Sequence, residues 1–181
     1  MKFINTDISG AYIICQEPFS DNRGYFTRVF CEKEFLEIGI NMKFVQSNLC
    51  YNSKKGTLRG LHLQTGSDAE DKLVMCTRGK VYDVCVDVRK TSLTFGKHIA
   101  IELSEENGNM ILIPKGCAHG YLTLEDNCQL LYMMSEYYIP GKKAGYRYDD
   151  PFFSIEWPLS EPYIISDEDR LFKNIRMENY Q

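Results

Sequence analysis

Short runs of β-type residues recur along this chain, and each is closed within a few positions by a turn signal. Tyr12–Cys15 is one such run, and residues 25–30 follow the turn Asp21-Asn22-Arg23-Gly24. Residues 57–64 follow Lys54-Lys55-Gly56, and residues 73–77 end at Arg78-Gly79. Residues 80–88, 98–103, 110–113, 120–124 and 129–134 complete the set. No repeat or low-complexity linker divides them. Many short strands with regular turns predict an all-β sandwich or barrel, read as a single domain over residues 1–181. Two short helices are expected, over residues 31–38 and over residues 167–177 with Ser166 as N-cap.

The run through residues 81–88 alternates strictly. Tyr82, Val84, Val86 and Val88 share one face, and Asp83, Cys85 and Asp87 the other. Two acids turned into a barrel would be costly without partners. Either the barrel holds a polar cavity, or this face is exposed.

Composition narrows the function. The formal net charge of −4 argues against a nucleic-acid surface, while leaving room for a small basic pocket. No apolar run reaches membrane-spanning length, and the start Met-Lys-Phe-Ile-Asn-Thr-Asp lacks the apolar stretch of a secretory signal. A cytoplasmic protein is expected, with no membrane partner. The seven cysteines are odd in number and form no C-x-x-C pair, so buried reduced thiols are expected.

Two of the three histidines lie in glycine-rich segments, Gly56-Thr-Leu-Arg-Gly-Leu-His-Leu-Gln64 and the stretch from Gly108 to His119. The second has the spacing G-x5-P-x-G-x2-H at Gly108, Pro114, Gly116 and His119, which resembles a cupin motif. Metal-binding cupins place H-x-H and then a Glu in the first motif. Here His62 is followed by Gln64, and the Glu position falls on Lys72. A cation in place of a carboxylate ligand opposes metal binding. The expectation is therefore a cupin-type double-stranded β-helix, or jelly-roll, with a polar pocket, no metal and no cofactor.

The ordered matches go further. They include Asp21-x-Arg23-Gly24, Gln46-Ser-Asn48, Leu58-Arg-Gly-Leu-His-x-Gln64, Lys72-Leu-Val and Gly79-x-Val-x-Asp-Val-x-Val-Asp87. Ile113-Pro-x-Gly-x-Ala-His-Gly120, Leu131-Tyr132, Tyr137-Tyr138, Asp150-Pro151, Trp157-Pro158 and Ser166-x-x-Asp169 continue the series. In this the chain resembles the dTDP-4-dehydrorhamnose 3,5-epimerase family. The resemblance implies an isomerase that inverts the carbons beside the 4-keto group of a nucleotide-linked sugar. It also implies a homodimer that exchanges strands near the N-terminus.

Such chemistry needs a base on one face of the sugar, a donor at the keto oxygen and an acid on the other face. In the family's terms, His62 is the general base, since an imidazole titrates near neutral pH. Asp169 orients it, Lys72 meets the developing oxyanion, and Tyr132 is the acid. His119 and Asp83 form a second pair. Arg23, Arg59, Gln46 and Asn48 hold the diphosphate and sugar, the arginines through forked donors. Tyr138 either stacks on base or sugar or packs at an edge. Taken alone, each residue has a plainer reading. A lone histidine is usually a hydrogen-bonded structural residue. Lys72 would be a surface lysine after the acidic turn 68–71, Tyr132 a core tyrosine, and Asp169 a first-turn helix acid. Strict alternation also puts Arg59 opposite His62 unless Gly60 forms a bulge.

Arg28 stands where the family usually carries Glu, reversing a charge expected at the substrate. Leu63 replaces a common aromatic, and the loop 65–71 differs from the usual one. A GDP-linked 4-keto-heptose of capsule synthesis is thus an alternative substrate. C3-only epimerisation, 3,4-ketoisomerisation, a metal-dependent cupin and a non-catalytic sugar-binding cupin are the rival readings.

Overall fold

The computed structural model describes residues 1–176. Its strands are β1 (Lys2–Asn5), β2 (Tyr12–Cys15), β3 (Phe19–Asp21), β4 (Gly24–Phe26), β5 (Gln46–Asn52), β6 (Leu58–Gln64) and β7 (Lys72–Arg78). They continue with β8 (Lys80–Asp87), β9 (His98–Ser104), β10 (Asn109–Ile113), β11 (Cys117–Thr123), β12 (Cys128–Met134) and β13 (Lys143–Gly145). Two helices, α1 (Glu32–Glu37) and α2 (Asp167–Arg170), complete it. Every strand pair is antiparallel. One sheet runs β1-β2-β10-β7-β12-β5 and the other β13-β6-β11-β8-β9, while β3 and β4 form a separate hairpin. This is the all-β architecture expected from the turn spacing, in the jelly-roll form that the cupin-like motif implied. No helix among the described residues is long and apolar enough to cross a membrane.

The two sheets face each other across a core to which both contribute. Val74, Ile111 and Leu130 come from one side, Val81, Cys85 and Leu103 from the other. Their outer faces are covered too. Phe35 of α1 packs with Ile14, Met110 and Leu112 behind the six-stranded sheet. Phe153 and Ile175 pack with Leu61, Val84 and Val86 behind the five-stranded one. This double cover resolves the ambiguity in β8. Asp83 and Asp87 are both 0% exposed, so their face is interior. Each has partners. Asp87 accepts from Arg89 at 2.8 Å and from Ser92 and Thr94 at 2.5 and 2.6 Å, and Asp83 meets a histidine described below.

Several boundaries differ from expectation. The run 25–30 is a strand only to Phe26, and Tyr25 and Phe26 are exposed rather than packed. β11 begins at Cys117, directly after the Lys115-Gly116 turn, not at residue 120. The C-terminal helix is only Asp167–Arg170, capped by Ser166 Oγ on the Asp169 amide, and Met177 lies outside the described residues. β5 was not expected as a strand. It alternates polar Gln46, Asn48 and Asn52 with the outward Leu49 and Tyr51, so its apolar face points away from the core.

The bulge at Gly60 does form. His119 pairs with His62 and Tyr121 with Arg59, so three steps on β6 match two on β11. The extra residue turns Arg59 onto the same face as His62. Gly60 has φ +124°, and a Cβ there would lie 2.5 Å from Gly120 Cα and 2.8 Å from the His119 carbonyl. Neither strand backbone can yield that space. Gly60→Ala is expected to destabilise the protein by about 2 kcal/mol or more, through strain and overpacking together. Urea unfolding checks this, and a midpoint within error of the parent protein would refute it.

Candidate active site

A cavity of about 420 Å³ opens between the sheets at the end where β5, β6, β7, β11 and β12 converge. From the five-stranded sheet it receives Arg59, His62 and His119. From the six-stranded sheet it receives Gln46, Asn48, Lys72 and Tyr132. Tyr138 and Lys143 stand in its wall as well.

His62 and His119 are cross-strand neighbours, and each is backed by a buried carboxylate. His62 Nε2 lies 2.7 Å from Asp169 Oδ1. Asp169 is 3% exposed, and its other oxygen accepts from the Gly60 amide at 3.1 Å. Asp169 stays ionised: burial works upward, but the His62 bond and charge and the Gly60 amide outweigh it and hold the carboxyl below its usual range. The carboxylate therefore accepts, Nε2 donates, and Nδ1 is the nitrogen left with a free lone pair. His62 itself is held below its ordinary value, chiefly by burial. Asp169 opposes that shift, while the charges of Lys143 and Lys72 add to it. His119 Nε2 lies 3.0 and 2.9 Å from the two oxygens of Asp83.

Lys72 is not the surface lysine of the plain reading. Its side chain is 10% exposed, and Nζ lies 2.8 Å from Glu70 Oε1. Glu70 is buried in turn, with Oε2 accepting from the Gln64 amide at 3.1 Å. The acidic turn 68–71 thus carries an inward counter-ion. Across the cavity, the Tyr132 hydroxyl makes no hydrogen bond among the described residues and is free to donate. Burial raises its pKa, with Cys50 adding and Arg59 opposing.

Arg59 Nε donates to Asn52 Oδ1 at 2.8 Å, which leaves its terminal nitrogens for a ligand. Gln46 donates to Asn48 Oδ1 at 3.1 Å and accepts from the Tyr138 amide at 3.1 Å, tying the rim to the wall. Gln64, at the second histidine position of the metal motif, accepts from the Ile139 amide at 2.9 Å and donates to the Asp68 and Tyr137 carbonyls. It works as a loop fastener. Among the described residues no group of three His, Cys, Asp or Glu side chains is placed to hold a metal ion.

Two expected binding residues are not brought to this cavity. Arg23 is 84% exposed on the β3–β4 hairpin and pairs with Asp21 at 2.5 Å. Arg28 is 58% exposed and pairs with Glu34 at 2.8 Å. Conversely, the sequence reading passed over Glu70 and Lys143. Glu70 stands two residues before Lys72, but only the buried turn reveals its direction. Lys143 lies in the short β13, which carries no apolar pattern.

A family profile described as dTDP-4-dehydrorhamnose 3,5-epimerase matches residues 5–176. A relative of that name from Methanothermobacter thermautotrophicus is 44% identical over 97% of this chain and 95% of its own length. Among solved structures, the dTDP-4-dehydrorhamnose 3,5-epimerase of Elizabethkingia anophelis superposes with a TM-score of 0.94 at 40% identity, covering 99% of both chains. The dTDP-6-deoxy-D-glucose-3,5-epimerase of Legionella pneumophila, solved with dTDP-4-keto-L-rhamnose, gives 0.90 at 40% identity over 96% and 92%.

The burial of His62 has a measurable sign. Its NMR titration midpoint is expected below the ordinary value of roughly 6.5, and lower again in Asp169→Asn, which removes the group opposing the shift. Between the lowered midpoint and the unfolded value the unfolded chain binds the extra proton. Stability contributed by neutral His62 is therefore lost as pH falls through that window. A midpoint at or above the ordinary value would contradict the assignment.

Proposed function

The chain belongs to the dTDP-4-dehydrorhamnose 3,5-epimerase family and is an isomerase, and from that premise we propose that it inverts C3 and C5 of a dTDP-linked 4-keto-6-deoxy sugar. One observation carries this reading: a carboxylate-backed imidazole and an unpaired tyrosine hydroxyl enter one cavity from opposite sheets. A sugar ring held between them meets a base on one face and an acid on the other.

The 4-keto group acidifies the hydrogens on its two neighbouring carbons. His62 Nδ1 takes the proton, and the C–H electrons pass into the ketone to form an enolate. The new imidazolium is stabilised by Asp169, and the enolate oxygen by the Lys72 ammonium. Tyr132 then delivers its proton to the carbon from the opposite face as the ketone re-forms. Water reprotonates the phenolate, and His62 returns its proton to solvent. His119, held by Asp83, is placed to hydrogen-bond the sugar hydroxyls. Arg59, Gln46 and Asn48 hold the diphosphate and sugar, and Tyr138 at the rim stacks on the base. The names of the relatives support a dTDP-linked substrate. The reversed charge at Arg28, which motivated a GDP-linked heptose, is offset by Glu34 within the same chain. Seven free cysteines support a reducing compartment, the cytoplasm.

The functional unit is proposed to be a homodimer. The β3–β4 hairpin exposes Phe19, Tyr25 and Phe26 at 73, 68 and 73%. Such an apolar surface is expected to be covered, and a second copy would bring Arg23 to a neighbour's cavity. Sedimentation should give twice the chain mass. Arg23→Ala should raise KM at least severalfold with little change in kcat, as loss of a phosphate contact does. A monomer with full activity would end this part of the reading.

The reaction is tested by NMR in deuterated water with dTDP-4-keto-6-deoxyglucose. Enzyme-dependent loss of both the C3 and C5 proton signals is expected. His62→Asn should abolish both, by a factor of about 10² or more, and Tyr132→Phe should impair reprotonation. Exchange at C3 alone would make the enzyme a monoepimerase. No exchange would refute the reading.

A further inference from the structure

The His62–Asp169 pair has a third member that the proposed reaction leaves unused. Lys143 Nζ lies 3.6 Å from Asp169 Oδ1, the same oxygen that holds His62, and 3.0 Å from Glu168 Oε2. We propose that Lys143 is a positioning residue of the base: it fixes the Asp169 carboxylate and divides that carboxylate's charge with His62. This rests on the reading of His62 as the base.

The local structure places Lys143 for that task. β13 pairs with β6 so that Lys143 stands opposite Gln64 and Gly145 opposite His62. The side chain is 24% exposed, and its ammonium lies 5.7 Å from the Phe172 ring centroid. The same ring packs edge-on against His62 at 5.6 Å. Phe172, Asp169 and Lys143 thus surround one imidazole. Glu168, by contrast, is 66% exposed. It anchors the ammonium from the solvent side, and the cation spans from there to the buried acid.

The effect on the base follows from charge. Asp169 alone would stabilise imidazolium and draw His62 towards permanent protonation, which would block it as a base. A cation sharing Oδ1 weakens that pull and adds to burial, the chief cause that keeps the imidazole neutral, while Asp169 still orients it. The direction of the His62 shift agrees, since the Lys143 charge lowers it. The other charged or titratable groups around His62 are accounted for. Lys72, paired with Glu70, comes from β7 and the turn before it. His119 with Asp83 behind it faces from β11 and β8. Tyr132 lies across the cavity on β12, and Arg59 on β6 itself. Among the described residues, Lys143 is the one lysine or arginine that contacts the acid of the base pair.

The test compares the parent enzyme with Lys143→Met, Lys143→Gln and Lys143→Arg. Two quantities are read: the pH dependence of C3 deuterium exchange, and the His62 titration by ¹⁵N NMR. In the Met and Gln variants the His62 midpoint should rise by about half a pH unit, the scale of one charge at a part-exposed site. The ratio of kcat/KM at about pH 5.5 to that at about pH 8 should then fall about threefold. Lys143→Arg should restore both. A uniform loss of rate with His62 unmoved would overturn the proposal and leave Lys143 a packing or substrate contact. If His62→Asn exchanges C3 as fast as the parent, the reading of the base fails and takes this proposal with it. If His62→Asn is inactive while the Lys143 variants titrate normally, the Lys143 proposal alone fails.

Discussion

The close approach of β6 and β11 at Gly60 and Gly120 governs the rest of the site. A Cβ at Gly60 would reach to 2.5 Å of Gly120 Cα, and one at Gly120 would lie 2.8 Å from the Arg59 carbonyl. Only glycine at both positions lets the strands meet around the extra residue. The bulge has two consequences. It puts Arg59 and His62 on one face, so a forked cation and an imidazole share a cavity that strict alternation would deny them. It also turns the Gly60 amide to Asp169, so the distortion itself helps to hold the acid behind His62.

Charge in this interior is arranged in local pairs. Asp169 meets His62 and Lys143, Glu70 meets Lys72, and Asp83 meets His119. A buried charge without a partner costs several kcal/mol, whereas a paired and hydrogen-bonded one is tolerated. The pairing explains how a barrel interior accommodates so many ionisable groups, and why the strand bearing Asp83 and Asp87 is covered on both faces. Outer burial by Phe153 and Ile175 leaves the acids only the inside, where partners are waiting.

The sequence carried the architecture well wherever strands had apolar faces towards the core. Strands β2, β7, β8, β9, β10 and β12 fell close to their expected places. It failed at β5, where the inward residues are mostly amides and the outward ones include Leu49 and Tyr51, so its pattern reads inverted. It failed also at short edge strands such as β1 and β13, which are defined by neighbours rather than by their own residues. For the site, the residue types of His62, Lys72 and Tyr132 were visible, but plain chemistry favoured structural roles for each, and family resemblance tipped the balance. The contact between His62 and Asp169 spans 107 positions, which no local pattern encodes. Glu70 was passed over because an acidic turn does not reveal which of its carboxylates is buried.

The division of the site between two sheets bears on how a proton can be removed from one face of a ring and returned to the other. A single sheet presents its side chains to one side of a bound ring. Two sheets present them to both, with no moving part needed to carry a group across. In the proposed reaction the proton abstraction creates both of its charges beside existing opposite ones: imidazolium beside Asp169, and enolate beside Lys72. That step does not ask for charge to be separated across the low-polarity core, where separation is most expensive. The groups nearest the chemistry are tethered from behind, through Asp169 to the Gly60 amide and through Glu70 to the Gln64 amide. The backbone of β6 is therefore the common anchor for both the base and the oxyanion donor. A shift of that one strand would move them together and keep their spacing.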